Sequence, residues 1–259
     1  MSISTGQDSR PARTGLPAGQ EKAMMVEHMF DSISGRYDLV NRLITFGLDI
    51  RWRRSCVSAL GLPAGSVVID LACGTGDFCR VLARRAMRPL GVDFSAGMLA
   101  AHKSPAPLVR ADALTLPLRD ASMDGATSGF ALRNFSDLAA VIGELGRVVR
   151  PGGRIALLEV STPRSKLLRL GHSVWFNRCV PVIGSALSNG DAYRYLPRSV
   201  AYLPGARELA GLVRDAGFSG VQRRELAGGV AQIITATRCG IPPSAHANGA
   251  GAGASFPQP

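Results

Sequence analysis

This sequence has few lysines, no long hydrophobic run and no cysteines in a recognised motif. Only three of its 259 residues are lysine, so arginine supplies nearly all of the 30 basic side chains. No run reaches the roughly 18 uninterrupted apolar residues of a transmembrane helix, and the first ten residues contain no apolar stretch of the kind that a secretory signal needs. We therefore expect neither a membrane-spanning helix nor a cleaved signal, and we predict a cytoplasmic location.

The cysteines are odd in number and follow no metal-binding spacing. The absence of a Cys-x-x-Cys pair or a histidine-rich cluster predicts that the chain holds no metal centre. Free thiols are typical of a reducing compartment. The five cysteines are Cys56, Cys73, Cys79, Cys179 and Cys239.

Apolar residues are abundant enough for a packed core, because they make up 46% of the chain. This fraction excludes a wholly disordered protein. Residues 1–22 lack periodicity, and residues 240–259 form a Gly/Ala/Pro-rich stretch with few large apolar groups, so we predict that both are disordered tails. Between them we predict a single domain over residues 23–239.

The net charge of +11 and the pI near 10.3 have three explanations. A strongly basic chain is typical of nucleic-acid binding and also of proteins that visit anionic lipid surfaces. The third is a genome-wide composition bias, which the preference for arginine over lysine supports. Composition alone leaves all three open.

Short apolar runs alternate with segments of helical spacing along most of this domain. This alternation predicts an α/β fold with a doubly wound, mostly parallel sheet of seven strands. In such sheets ligands bind outside the carboxyl ends of the strands. The predicted strands are residues 67–71, 89–93, 108–111, 125–130, 154–160, 221–225 and 231–237.

A glycine-containing loop follows the first predicted strand, between Asp70 and Gly76. Gly74 and Gly76 allow the backbone to approach a ligand closely, and Asp70 can accept hydrogen bonds from an ammonium group or from the loop. A dinucleotide fingerprint would need a third glycine where the chain has Cys79, and no phosphate-binding Walker motif is present. The loop therefore disfavours NAD and nucleoside triphosphates.

Acidic residues also end the second and third predicted strands. Asp93 is placed to accept both hydroxyls of a ribose, and Asp112, with Ala113 beside it, is placed to meet the amino group of adenine. Carboxylates at the ends of three successive strands are typical of an S-adenosylmethionine pocket. We therefore predict that cofactor.

Several longer segments carry a resemblance to a known family. The sequence resembles class I methyltransferases and, more narrowly, the C-methyltransferases of ubiquinone and menaquinone biosynthesis, from about residue 26 to residue 238. The matching segments are residues 30–41 with Trp52, 70–77, 130–134, 147–161, 191–196 and 227–230.

The resemblance implies transfer of a methyl group to a ring carbon of a prenylated quinol. It adds Thr75 to the cofactor-binding positions and leaves open whether the ring is a benzoquinol or a naphthoquinol. Six residues depart from the family pattern. Gly129 stands where a cofactor-contacting serine is expected, and Asp49 and Ile234 stand where histidines are common; the others are Val40, Thr45 and Ala131.

The candidate catalytic residues are Arg133 and Asn134, which follow the fourth predicted strand. A ring carbon becomes nucleophilic when its phenol loses a proton, so a cation at the phenolate oxygen would favour the reaction. We expect Arg133 to supply that cation. The alternative is a structural arginine that pairs with a helix end or with Asp137.

Three tyrosines are candidates to line the substrate pocket, with ordinary packing as the alternative for each. They are Tyr37, Tyr193 and Tyr195.

An insertion at about residues 161–205 holds much of the basic excess, with a net charge of +5 over residues 161–199. Its basic side chains alternate with large apolar ones, which is typical of a surface that touches anionic lipid. We predict that the insertion covers the substrate and brings the protein to a membrane peripherally. The sequence leaves homo-oligomerisation open.

Three rival functions share parts of this pattern. A nucleic-acid methyltransferase often carries a proline-containing segment after the fourth strand to grip a flipped base, and residues 129–134 contain no proline, so we expect no nucleic-acid partner. A small-molecule methyltransferase of secondary metabolism remains an alternative. A non-enzymatic cofactor-binding protein is disfavoured by the intact set of acids.

Overall fold

The computed structural model describes residues 18–175 and 198–240, together with the single positions 178, 180, 182 and 195. Tyr193 and much of the predicted insertion lie outside the described residues. Within the described part, no helix combines the length and the apolar character needed to cross a membrane.

A seven-stranded sheet forms the centre of the fold, with the strand order β3-β2-β1-β4-β5-β7-β6. Strands β1 to β5 pair in parallel, and β7 runs antiparallel to both β5 and β6. This confirms the predicted doubly wound, mostly parallel sheet. The strands are β1 Val67–Leu71, β2 Arg88–Asp93, β3 Leu108–Arg110, β4 Met123–Gly129, β5 Val149–Val160, β6 Phe218–Leu226 and β7 Ala231–Arg238.

Helices cover both faces of the sheet and its carboxyl edge. They include α1 Gly19–Ile33, α2 Tyr37–Ile44, α3 Leu48–Leu60, α4 Asp77–Ala83, α5 Ala96–Ala100, α6 Leu138–Val148, α7 Lys166–Val174 and α8 Ala206–Asp215. Short 3₁₀ turns occupy Leu132–Asn134, Val200–Tyr202 and Ala227–Gly229.

The core has two layers, one on each face of the sheet. Successive side chains of a strand point to opposite faces, so Ile69 of β1 packs with Leu145 of α6 and Leu209 of α8. Its neighbour Val68 packs on the other face with Leu60 of α3. A strand buried on both faces reads as an uninterrupted apolar run, which explains why the sequence placed β1 correctly.

A third apolar cluster lies where α1 and α2 cover the carboxyl edge of the sheet. Met29 and Ile33 of α1 pack there with Val40 of α2 and Met98 of α5. The predicted N-terminal tail is wrong at its inner end, because α1 begins at Gly19. Only one helical turn of α1 falls within the predicted tail, too little for a periodic pattern to show.

The predicted start of the fifth strand at residue 154 is also wrong, because β5 begins at Val149. Met123 of β4 pairs with Val149, and Gly125 pairs with Arg154. Four residues of β5 therefore lie opposite a single residue of β4 as a bulge. Gly152 adopts a φ of 77° there, which is the left-handed conformation that glycine tolerates.

Candidate functional site

A cleft opens at the carboxyl ends of β1, β2 and β4, beneath α1 and α2. Its wall includes Asp70, Gly74, Asp93 and Asp112, so four of the predicted cofactor residues come together. Thr75 and Ala113 line it as well. Of the seven predicted cofactor residues, only Gly76 is not in contact with the cleft, and it lies in the same loop.

The loop after β1 depends on glycine at its last position. Gly76 has a φ of 87°, and a Cβ atom there would lie 2.4 Å from the Nε2 atom of His102. The neighbouring backbone N–H of Gly74 donates a hydrogen bond to Asp93 Oδ2 at 2.7 Å. The end of β2 therefore holds the loop against the sheet.

Asp70 is the buried carboxylate at the end of β1. It accepts hydrogen bonds from Thr127 Oγ1 at 3.1 Å and from Cys79 Sγ at 3.5 Å. Burial raises the pKa of Asp70 to about 7, against the opposing effects of these two hydrogen bonds and of the Arg53 charge. A cationic ligand group beside it would therefore favour its ionised form.

Backbone groups orient the other two acids. Asp93 accepts from the N–H of Ser95 at 2.9 Å through the oxygen that Gly74 does not use, and burial raises the pKa of this carboxyl. Asp112 is exposed and accepts from the N–H of Leu114 at 2.9 Å. Each carboxylate is thus held toward the cleft by the turn that follows its strand.

Thr75 joins this loop to α2. Its buried hydroxyl donates a short hydrogen bond to Asp38 Oδ1, and the second oxygen of Asp38 accepts from Lys103 Nζ at 2.7 Å. These hydrogen bonds from Lys103 and Thr75 lower the pKa of Asp38, although burial opposes them. The covering helix is therefore tied directly to the loop.

The chemistry of the cleft fits S-adenosylmethionine. Asp70 suits an ammonium group, and Asp93 and Asp112 suit ribose hydroxyls and an adenine amino group. Asn134 also lines the cleft, and its Oδ1 atom is buried without a partner among the described residues. A buried acceptor of this kind is costly unless a ligand or water satisfies it.

Sequence reasoning missed one cationic residue of the cleft, Arg53. This buried side chain of α3 pairs with Asp49 at 2.6 Å and also lines the cleft. A possible signal was its position directly after Trp52, in the N-terminal motif of the resemblance.

A second cavity of about 420 Å³ lies beside the cleft, between α2, α3 and α7. Aromatic side chains dominate its wall, including Trp52, Phe130 and Trp175. Tyr37 and Phe130 line both cavities, so these two rings stand where the cavities meet. Phe130 has a φ of 60°, a strained conformation for a bulky residue that is common at functional sites.

Arg133 is the only charged side chain among the described residues that line this second cavity. Its Nη1 atom donates to the carbonyl oxygen of Phe130 at 2.7 Å and forms a short ion pair with Glu159, while Nε donates to Ser199 Oγ at 3.0 Å. Its Nη2 atom makes no hydrogen bond to a described residue. Two of the three guanidinium nitrogens are thus engaged, and Nη2 is left for a ligand.

The alternative prediction that Arg133 pairs with Asp137 is wrong. Asp137 instead caps α6, where it accepts from the N–H of Ala140 at 3.0 Å. The partner is Glu159 at the end of β5, which is fully buried. Asn134, predicted beside Arg133 at the substrate, lines the cofactor cleft.

The predicted tyrosines separate in the structure. Tyr37 lines both cavities, whereas Tyr195 is buried in the cluster under α1 and α2 with Met29 and Val40 and lines neither. Tyr193 lies outside the described residues. Tyr195 therefore packs in the core, which was the alternative to lining the substrate pocket.

Three of the residues that depart from the family pattern have local explanations. At Gly129 a Cβ atom would lie 2.5 Å from the ring of Phe78, so the position has no room for a side chain. Asp49 is buried as the partner of Arg53, and Ile234 of β7 belongs to the sheet core.

Comparison with known proteins gives consistent matches. The model of the ubiE/COQ5 methyltransferase family matches residues 18–238. The demethylmenaquinone methyltransferase of Roseiflexus castenholzii is 42% identical over 233 residues, which are 87% of this chain and 98% of that protein. The ubiquinone/menaquinone biosynthesis C-methyltransferase UbiE of Geobacter sulfurreducens is 38% identical over 227 residues, 83% of this chain and 89% of that one.

Solved structures agree on the fold. A SAM-dependent methyltransferase from Aquifex aeolicus superposes with a TM-score of 0.55 at 15% identity, over 77% of this chain and 97% of that one. Together the matches confirm the predicted fold class, the methyltransferase activity and the cofactor S-adenosylmethionine. The chain belongs to the ubiE/COQ5 methyltransferase family.

Proposed function

We propose that this protein methylates a ring carbon of demethylmenaquinol, ortho to a hydroxyl group. The observation that carries the proposal is an apolar cavity that meets the cofactor cleft at Tyr37 and Phe130 and has Arg133 as the one cation among its described lining residues. A flat aromatic ring with a hydroxyl group beside the reacting carbon matches such a cavity, because the apolar walls pack against the ring and the cation stabilises the phenolate.

The chain contributes position and electrostatics to the reaction. When bound, S-adenosylmethionine supplies an electrophilic methyl group. Arg133 stabilises the phenolate through its Nη2 atom, while Glu159 and Ser199 hold the guanidinium in place. Tyr37 and Phe130 line both cavities and so border the place where the methyl donor and the ring would meet.

The mouth of the second cavity suits a substrate with a lipid tail. Phe46 and Leu167 line this cavity and are exposed by 73% and 79%, and Leu43 of α2 and Leu170 of α7 are exposed on the helices that border it. Monomeric proteins seldom expose such a patch without a partner. Lys166 adds an exposed positive charge to it, so we propose that this face binds an anionic membrane peripherally.

Vesicle flotation tests this contact. We expect the wild type to float with anionic vesicles more than with neutral ones, and the double variant R169Q/R178Q to lose most of that preference, because both side chains are exposed on the insertion. The matched control is R84Q/R85Q, which removes two exposed arginines at the opposite edge of the sheet. Equal flotation of all three proteins would refute the membrane proposal.

Product formation tests the substrate. We expect purified protein with a labelled methyl donor to methylate reduced demethylmenaquinol and to leave its oxidised quinone unchanged, because only the quinol has an ionisable hydroxyl. A prenylated benzoquinol tests the ring. Faster methylation of the benzoquinol would contradict the naphthoquinol assignment, and methylation of an unrelated phenol alone would favour secondary metabolism.

A further inference from the structure

Arg53 is a buried cation that the proposed reaction does not use. It lies on α3, is 5% exposed, and packs its guanidinium over the rings of Phe130 and Phe78 at 5.4 Å and 5.8 Å. Its Nη1 atom pairs with Asp49 at 2.6 Å and lies 3.6 Å from Asp77. A buried charge held this firmly, on the wall of a ligand cleft, is a candidate for ligand binding.

The opposite edge of this guanidinium remains available. Neither Nε nor Nη2 of Arg53 makes a hydrogen bond to a described residue. These two nitrogens donate in parallel, which is the geometry that matches both oxygens of a carboxylate. Asp49 and Asp77 therefore orient the side chain without occupying the edge that a carboxylate needs.

The charges around the cleft make this edge distinctive. Among the described residues that line the cleft, Arg53 is the only cation. Five others are acidic: Glu27, Asp70, Asp77, Asp93 and Asp112. An anionic ligand group entering this cleft would be repelled along most of the wall and attracted at one place.

We propose that Arg53 binds the α-carboxylate of the amino-acid part of the cofactor. This rests on the proposed function, because it assumes that S-adenosylmethionine occupies the cleft. Asp70 lines the same cleft as Arg53. An α-amino acid carries an ammonium and a carboxylate on one carbon, so a neighbouring acid and cation match both charges.

Calorimetric binding tests the proposal without measuring activity. The probes are S-adenosylhomocysteine and its decarboxylated analogue, which keeps the ammonium, the ribose and the adenine. We expect the wild type to prefer S-adenosylhomocysteine, and R53M to lose that preference through a roughly ten- to hundred-fold weaker affinity for S-adenosylhomocysteine alone. R42M is the matched control, because Arg42 pairs with Asp77 at 3.4 Å and does not line the cleft.

The outcomes separate the two proposals. Equal binding of both probes by the wild type, or an unchanged preference in R53M, overturns the role of Arg53. Equal weakening of both probes in R53M shows that Arg53 only shapes the cleft and also overturns it. If R53M does not fold, because Asp49 is left buried and unpaired, D49N/R53M replaces it. Failure of the wild type to bind either probe would overturn the cofactor assignment itself.

Discussion

Individual residues of the site work as pairs of opposite charge. Arg133 faces an apolar cavity with its charge balanced by the buried carboxylate of Glu159. Removing one partner of a buried pair leaves the other uncompensated, so Glu159 is a positioning residue for Arg133. The geometry explains how a charge can persist in an apolar cavity and still offer one nitrogen to a substrate.

The substitution R133M tests the catalytic role. We expect turnover to fall by about a hundred-fold or more, because one preorganised donor at a developing anion typically contributes that much. Affinity for S-adenosylhomocysteine should stay close to that of the wild type, since Arg133 lines the other cavity. Steady-state kinetics and calorimetry measure the two quantities. Equal losses in both would contradict a role confined to the substrate.

Asp70 predicts a pH-dependent affinity for the cofactor. Its pKa is raised to about 7, so the carboxyl group is mostly protonated and neutral below that pH and ionised above it. Affinity for S-adenosylhomocysteine should therefore rise from about pH 6 to about pH 7.5, because the ionised carboxylate attracts the ligand ammonium. In D70N the rise should disappear. A wild-type profile that is flat over this range would exclude an ammonium contact at Asp70.

The sequence pattern locates the acids that end strands, but not the residues that act through contacts with distant elements. Asp70, Asp93 and Asp112 end strands, so their position follows from the pattern of strand and turn. Glu159 and Arg53 act through contacts with distant elements, and no local spacing predicts that Glu159 meets Arg133 across 26 positions. Tertiary packing decides such pairs.

Among the helices, α1 is fixed to the rest of the fold by a buried lysine. Lys22 is 4% exposed and donates to the carbonyl oxygens of Arg133 at 2.9 Å and Phe135 at 2.6 Å. Its ammonium also lies 3.8 Å from the ring centre of Tyr202. The same turn that presents Arg133 to the substrate is thus tied to the helix that covers the cofactor.

The buried lysine predicts a specific dependence of stability on pH. Burial lowers the pKa of Lys22 from 10.5 to about 8. Between these values the unfolded chain binds the proton more tightly, so raising the pH should stabilise the fold in that window. In K22M this contribution should be absent, whereas K166M, which changes an exposed lysine of α7, should keep it. Urea unfolding at several pH values measures the difference, and parallel curves for the wild type and K22M would refute it.

Strands were predicted better than the elements that cover them. Those buried on both faces carry apolar runs, and β1 matches its predicted range completely. The bulge in β5 was missed because Pro and Gly are read as a turn whether or not a neighbouring strand continues the pairing. The start of α1 was missed because its fixing contacts come from another part of the fold.

The basic side chains of the whole molecule fall into two groups. Some form internal pairs, as with Arg53, Arg133 and Arg147, each of which binds a carboxylate. Others lie exposed on the described part of the insertion, as with Lys166, Arg169 and Arg178. The sequence predicted the basic insertion, but the apolar side chains that α2 adds to the same face emerge only from the packing of α2 against the cavity.

The position of the transferred methyl group tests the central claim most directly. We would incubate the protein with an isotopically labelled methyl donor and reduced demethylmenaquinol and locate the label in the product by nuclear magnetic resonance. Stabilisation of a phenolate by Arg133 predicts a methyl group on the ring carbon next to the hydroxyl. A label on the hydroxyl oxygen, or no transfer to this quinol, would contradict the account.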